Sequence, residues 1–276
     1  MRKCKILVLV LAGNTRRSNI NLKYQKMTWQ KKHEDIEIVT YSGGSNFEFK
    51  NNNLILNVSD NYKDISEKTR EAFLWISKNI DFDYLIRTNT SSYIDLENLK
   101  KFCDRNNITN LYRGRILKYQ LNNLNIHYAS GDEVLLSKDT FDKIIKNINF
   151  WDINLPDDVS IGKLMNKLNI VLENSNSIQF NVNLFKKKTI THEYHFRCRV
   201  DSPYYFPRFL DKLLLLYIHK NLQNKNISIL LRFITGITFQ FCRLFAFKKH
   251  KDYFNYYFWK LLKIIIKTDK LKKILN

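Results

Sequence analysis

The sequence predicts an α/β fold: a mixed, mostly parallel sheet flanked by helices, followed by a C-terminal helical appendage. Strand-like and helix-like segments alternate through the first half, the pattern of a parallel sheet covered by helices. The chain has 276 residues, 44% of them hydrophobic, which suffices for a sizeable core. Only seven glycines and three prolines occur, leaving little material for flexible linkers.

Residues 6–12 are apolar throughout, as a first strand buried on both faces requires. The basic start Met1-Arg2-Lys3-Cys4-Lys5 also suits a signal peptide. The apolar run is short, however, and meets Gly13-Asn14-Thr15-Arg16-Arg17 with no small-residue cleavage site, so the strand reading is preferred. Residues 36–41 read as a second strand, ended by the turn Ser42-Gly43-Gly44-Ser45, and 54–58 as a short third. Residues 65–80 form an amphipathic helix with Ala72, Phe73, Trp75 and Ile76 on or near one face. A strand at 84–87 and a helix at 96–106 follow, then strands at 111–115 and 126–129 and a helix at 138–147. Pro156 followed by Asp157 and Asp158 is a helix-start signal, and that helix carries Ile161, Leu164 and Met165 inward.

Beyond about residue 202 the character changes to apolar, aromatic and basic, over 209–219 and 226–249. The chain is therefore divided into a main domain at 1–201 and a basic, aromatic-rich helical appendage at 202–276. No apolar run reaches the ~18 residues that span a bilayer. Residues 227–247 come closest, interrupted by Arg232, Gln240 and Arg243.

The net charge of +20 favours polyanionic partners: nucleic acid, anionic lipid or a phosphorylated substrate. No established nucleic-acid motif is present, so nucleic acid is not an expected partner. The cluster Lys248-Lys249-His250-Lys251 precedes a stretch from Tyr253 to Lys267 in which lysines interleave with aromatic and aliphatic residues. Such a helix suits an anionic membrane surface, or else packs on the main domain or in a dimer interface. The four cysteines are scattered and form no paired motif, which argues against zinc and a disulfide scaffold and for a reducing compartment. The expected location is the cytoplasm, peripheral on the inner face of a membrane.

Ligands of such sheets bind beyond the carboxyl ends of the strands. The residues after Tyr84-Leu85-Ile86 are Arg87-Thr88-Asn89-Thr90-Ser91-Ser92, a concentration of hydrogen-bonding groups that points to ligand contact.

Four segments in sequence order resemble the Fringe and β1,3-galactosyltransferase family (glycosyltransferase family 31). Asp60-Asn61-Tyr62-Lys63-Asp64-Ile65-Ser66-Glu67-Lys68-Thr69 is similar to the family's D-x-Y-x-N-L-T-x-K-T stretch. The strand from Tyr84 through Ile94 stands where the family has one ending in K-T-D-D-D-V-F. Tyr128-Ala129-Ser130-Gly131-Asp132-Glu133-Val134-Leu135-Leu136-Ser137 resembles Y-x-S-G-G-G-Y-V-L-S. Leu155-Pro156-Asp157-Asp158-Val159-Ser160-Ile161-Gly162 is close to L-P-D-D-x-T-x-G and is the strongest single match. The likeness covers roughly residues 60–162, and the C-terminal third has no counterpart.

The resemblance implies a Rossmann-like GT-A fold and an inverting glycosyltransferase. Its partners would be a nucleotide-sugar donor and a saccharide or lipid-linked acceptor, in surface polysaccharide or glycolipid synthesis. It implies that Asp158 is the general base, with Asp157 the alternative. Arg87, Thr88, Asn89 and Ser91 would touch the donor, and Asp60 and Lys68 serve the donor or the fold alone. Ser130, Gly131, Asp132 and Glu133 would meet a sugar or acceptor, or form a solvated turn. His192, His195 and Arg197 are the candidates for contact with the diphosphate.

Relatives hold Mn²⁺ or Mg²⁺ with an aspartate-rich motif, which is absent here: the aligned residues are Asn89, Thr90 and Ser91. Three readings follow. Transfer is metal-independent, with Arg87 or other Lys and Arg side chains neutralising the diphosphate. Or a weak metal site survives on Asn89 and nucleotide oxygens. Or activity has been lost, leaving a carbohydrate- or membrane-binding protein.

Overall fold

The run Ile6–Leu11 forms a central strand of the sheet, and its alternation explains its composition. Ile6, Val8 and Val10 face one core and Leu7 and Leu9 the other, all fully buried. Each such side chain contributes roughly 1.5–3 kcal/mol when removed from water, so an unpartnered polar residue at any of these positions would be costly. The computed structural model describes residues 2–106, 108–121, 124–179, 194–199 and 211–223.

In chain order the first elements are β1 (Arg2–Lys3), β2 (Ile6–Leu11), α1 (Arg16–Met27), β3 (Ile36–Gly43), β4 (Glu48–Lys50), β5 (Asn53–Leu56) and α2 (Ile65–Asn79). Next come β6 (Ile80–Asp81), β7 (Tyr84–Asn89), β8 (Ser92–Ile94), α3 (Leu96–Asn106), β9 (Tyr112–Gly114), β10 (Ile116–Leu121) and β11 (Leu124–Ala129). The last are β12 (Val134–Ser137), α4 (Lys138–Lys146), α5 (Asp157–Lys167), β13 (Leu172–Asn174), β14 (Ile178–Gln179), β15 (His195–Arg197) and α6 (Asp211–Leu222).

The main sheet has eight strands in the order β13-β9-β12-β7-β2-β3-β5-β4. β7, β2, β3 and β5 run parallel, in register Ile6↔Tyr84 and Ile6↔Ile36. β12 is reversed against both its neighbours, β13 is again parallel to β9, and β4 closes the far edge antiparallel. The fold is thus α/β with a mixed sheet flanked by helices. A small sheet β14-β15-β8 and the hairpin β10-β11 stand apart from it.

Helices cover both faces. α2 buries Ala72, Phe73 and Ile76 in one core, beside Ile161, Leu164 and Met165 of α5. α1 lies on the other face, where Tyr24 packs against the core. The chain moves from β2 outward to β3 and β5, then returns through α2 to β7 on the opposite side of β2. This reversal falls at the carboxyl ends of β2 and β7, the place where ligands of open α/β sheets bind.

Two elements depart from the expectations. The turn expected at residues 42–45 begins late, because β3 continues through Ser42 and Gly43. The C-terminal segment supplies α6, whose Leu214, Leu215 and Ile218 are fully buried in the same core as β2 and β8. Residues 211–222 therefore share the core of the main domain and do not stand off as an appendage. The basic aromatic stretch after residue 223 lies outside the described residues. No helix among the described residues is long and apolar enough to cross a membrane.

Candidate functional site

The carboxyl ends of β2 and β3 are tied by one side chain. Asp60 Oδ1 accepts the Gly43 N–H at 3.0 Å and Lys68 Nζ at 2.9 Å, while Oδ2 accepts the Asn14 N–H. Burial alone would raise this carboxyl, but the Asn14 N–H, Lys68 and the Gly43 N–H outweigh it and hold it below the usual range. Lys68 is almost wholly buried. Through Asp60 the ion pair ties the chain after β2 to the end of β3.

Among the described residues Arg87 is the largest fully buried side chain, 2% exposed. Its position in β7 aims it toward α2 and α5, away from solvent. Nη2 pairs with Asp157 Oδ2, Nε donates to the Tyr41 hydroxyl at 3.2 Å, and Nη1 donates to the Gly131 carbonyl. Thr69 Oγ1 donates to Asp157 Oδ2 at 2.8 Å and lies 2.9 Å from the Tyr41 hydroxyl. Burial would lower the guanidinium's value, and the Asp157 carboxylate overcomes this and raises it. All of Arg87's charge is therefore engaged inside the protein, which corrects the expectation that it neutralises a diphosphate. Asp157 is placed differently from Asp158: it is buried, and its Oδ2 is held by Arg87 and Thr69.

Asp158 differs from its neighbour although both open α5. It is partly exposed, with Oδ2 accepting the Gly131 N–H at 2.8 Å and Oδ1 its own Val159 N–H at 2.9 Å. Burial first, and then the Asp157 charge, push its carboxyl up to about 6, against the lowering pull of Arg87 and the two amides. Gly131 has no room for a side chain: a Cβ there would lie 2.7 Å from Arg87 Nη1 and 3.0 Å from Asp158 Oδ2. Gly162 in the same motif serves packing, since a Cβ would come within 2.5 Å of Tyr128 Cβ on β11. Tyr128 neighbours the site, its phenol raised by burial and then by the Asp158 charge.

The end of β7 is polar but self-satisfied. Thr88 Oγ1 donates to the Asp132 carbonyl at 2.7 Å. Asn89 Oδ1 accepts both the N–H of Ser91, at 3.0 Å, and its hydroxyl, at 2.7 Å. Gln25 Nε2 of α1 donates to the carbonyls of Asn89 and Ser92, at 3.0 and 2.7 Å. This bears on the Mn²⁺ or Mg²⁺ that the resemblance implies. The Asn89 oxygen is turned back onto its own loop, and Thr90 and Ser91 offer only neutral hydroxyls. Among the described residues no group of three His, Cys, Asp or Glu side chains gathers to hold a metal ion. The residues do not fit a divalent cation.

Beside this loop lies a buried charged cluster. Asp132 Oδ1 accepts Arg197 Nη1 at 2.8 Å, Arg115 Nη2 at 3.4 Å and the Ser130 hydroxyl. Burial would raise the Asp132 carboxyl, but His195 and Arg197, with Ser130 and Arg115, bring it down to about 2. Glu133 is raised, chiefly by burial, and accepts Ser175 Oγ at 2.5 Å. His195 Nδ1 lies 2.8 Å from Ser177 Oγ and 3.6 Å from Glu133 Oε2, and Nε2 lies 3.1 Å from Ser92 Oγ. Asp132, Glu133 and His195 are each at most 2% exposed. They fix the loop from within, which corrects the expectation that the carboxylates reach sugar hydroxyls and that His195 reaches a diphosphate. Ser130 is buried as well, while Arg197 keeps a partly open side chain. His192 lies outside the described residues.

The structure thus gathers Asp158, Gly131, Arg197 and the end of β7 at one edge, with Asp60 and Lys68 bracing β2 and β3. Arg115 belongs to the same edge and was missed, because a single arginine between two strands carries no sequence signal. A scan against protein-family models finds no match, and a search of curated proteins finds no significant relative.

Proposed function

We propose that this chain is an inverting glycosyltransferase of the Rossmann-like GT-A type, moving a sugar from a nucleotide-diphosphate donor to a saccharide or glycolipid acceptor. The observation that carries the reading is Asp158. It is partly open at the start of α5 and held near the topological switch of the sheet, with a carboxyl value of about 6. A base poised near neutral pH is deprotonated at rest yet still attracts a proton, the compromise that general-base catalysis rewards.

In the proposed reaction the acceptor oxygen forms a bond to the anomeric carbon as the bond from that carbon to the diphosphate oxygen breaks. The bonding pair leaves with the diphosphate, and the acceptor proton passes to Asp158 Oδ. Arg87 and Asp157 set the position and charge of Asp158, and the Gly131 N–H holds its oxygen. Tyr128, beside the base, offers an aromatic face suited to a sugar ring.

A second reading, a carbohydrate- or membrane-binding protein derived from such an enzyme, draws on the Asn89 loop, which satisfies its own hydrogen bonds. The lipid-linked acceptor, the anionic membrane and the cytoplasmic inner-face location rest on the C-terminal sequence alone. The discriminating experiment screens nucleotide sugars for donor-dependent product, using wild type and Asp158→Asn. Turnover that falls about 10²–10⁴-fold in the variant supports the enzyme. Binding of sugars or anionic vesicles with no turnover of any donor supports the second reading.

A further inference from the structure

We propose that Arg115 and Arg197 form a metal-independent binding site for the donor's diphosphate. The inference rests on the donor reading above and starts from the misfit between the Asn89 loop and a divalent cation. Arg115 follows β9 and Arg197 ends β15, so 82 residues of sequence (197 − 115) separate two guanidiniums that meet on one oxygen, Asp132 Oδ1. Burial orders the charges. The carboxylate is 1% exposed, whereas the Arg115 and Arg197 side chains are 27% and 13% exposed. The anion lies behind and the cations in front, so the face toward solvent is positive.

The pair also retains unused donors. Nε of Arg115 and Nε of Arg197 are buried and, among the described residues, have no hydrogen-bond partner, so the donors that could meet a ligand from solvent are the terminal Nη groups. Each guanidinium carries five N–H groups in a planar fork, matched to the paired oxygens of phosphate. Asp132 uses few of them. Its role is that of a positioning residue, fixing two cations that would otherwise repel one another. The site flanks Ser130, whose hydroxyl accepts Arg115 Nη2 at 2.9 Å, and Ser130 adjoins Gly131, whose N–H binds the proposed base. A diphosphate held there would sit at the carboxyl edge of the sheet, next to the base.

The test is calorimetric titration of the full chain with inorganic pyrophosphate in EDTA, then with a panel of nucleoside diphosphates. Arg115→Gln and Arg197→Gln are each expected to weaken pyrophosphate binding by ~10-fold or more, the worth of one charge-assisted hydrogen bond. Arg197→Lys, which keeps the charge and most of the packing, should lose less. A Lys31→Gln/Lys32→Gln control on a distant surface should bind as wild type does. Binding that needs Mn²⁺ or Mg²⁺, or that ignores both arginines, or that falls equally in the lysine control, would overturn the site. If nucleoside diphosphates bind only with metal, the site is wrong and the donor reading stands. If pyrophosphate binds through both arginines but no nucleotide is preferred and no sugar is transferred, the site stands and the donor reading is wrong.

Discussion

Replacing Asp158 with asparagine is expected to stabilise the protein at neutral pH while removing the proposed base. The carboxyl titrates at about 6 in the folded chain against an ordinary 3.8. As pH rises, the unfolded chain releases this proton first, and the folded chain holds it until about pH 6. Stability therefore declines between about pH 4 and pH 6 and stays lowered above that window. Two units at about 1.4 kcal/mol each correspond to roughly 3 kcal/mol. Partial exposure and the charge shared with Asp157 reduce this to about 1–2 kcal/mol. The asparagine Oδ1 can still accept the Gly131 N–H, but its amide nitrogen cannot accept the Val159 N–H, which also trims the gain. In a chain of this size the gain corresponds to a Tm rise of about 2–8 °C. Thermal melts of both proteins from about pH 4 to pH 8 read it directly: near coincidence at the acid end, then a widening gap that levels off above about pH 7. A variant that melts below wild type by the same margin at every pH would refute the reasoning. Asp158 would then be an ordinary helix-start carboxylate whose charge is welcome.

Arg87→Met leaves Asp157 buried without its cation and is expected to cost about 3–5 kcal/mol in urea denaturation; adding Asp157→Leu should restore most of that loss. Were Arg87 instead a donor contact, the single substitution would spare stability and weaken only nucleotide binding. Gly131→Ala drives a methyl against Arg87 Nη1 and Asp158 Oδ2. It should cost about 1–3 kcal/mol and move the pH dependence of any turnover, which a purely surface loop would not do.

The elements legible in the sequence are those whose apolar spacing is set by the core. β2, α2 and α5 each bury a hydrophobic face; the expected limits of β2 and α2, and the expected start of α5, agree with the structure to within a residue. α1 was not legible because the face it buries is Ser18, Asn21 and Gln25. Gln25 is there to donate to loop carbonyls, a purpose that hydrophobic periodicity does not record. The hairpin β10-β11 escaped in part for a similar reason, since β10 alternates exposed and half-buried residues with no fully buried face. At the site, Pro156-Asp157-Asp158 announced a carboxylate pair at a helix start, but both residues occupy the same turn. Only the reach of Arg87 from β7 separates a paired aspartate from a titratable one. Arg115 and Asp132 are 17 residues apart in sequence and meet through the end of β9 and the loop before β12.

Arg87 then explains how two adjacent aspartates come to differ. Two neighbouring carboxylates left to themselves share a proton, and their apparent values split widely. A guanidinium bound to one of them absorbs that repulsion. Asp157 lies buried against Arg87 and Thr69, which both bond its Oδ2. Asp158 is left between two nearly balanced sets of influences: burial and Asp157 push its proton on, while Arg87 and the amides of Gly131 and Val159 pull it off. The balance falls near neutrality. Gly131 couples the two halves, accepting Arg87 through its carbonyl and donating to Asp158 through its N–H. A shift of β7 relative to α5 would therefore change the basicity of Asp158 before it changed its location. On the proposed reading, the guanidinium on the central sheet would then set the rate without touching the donor.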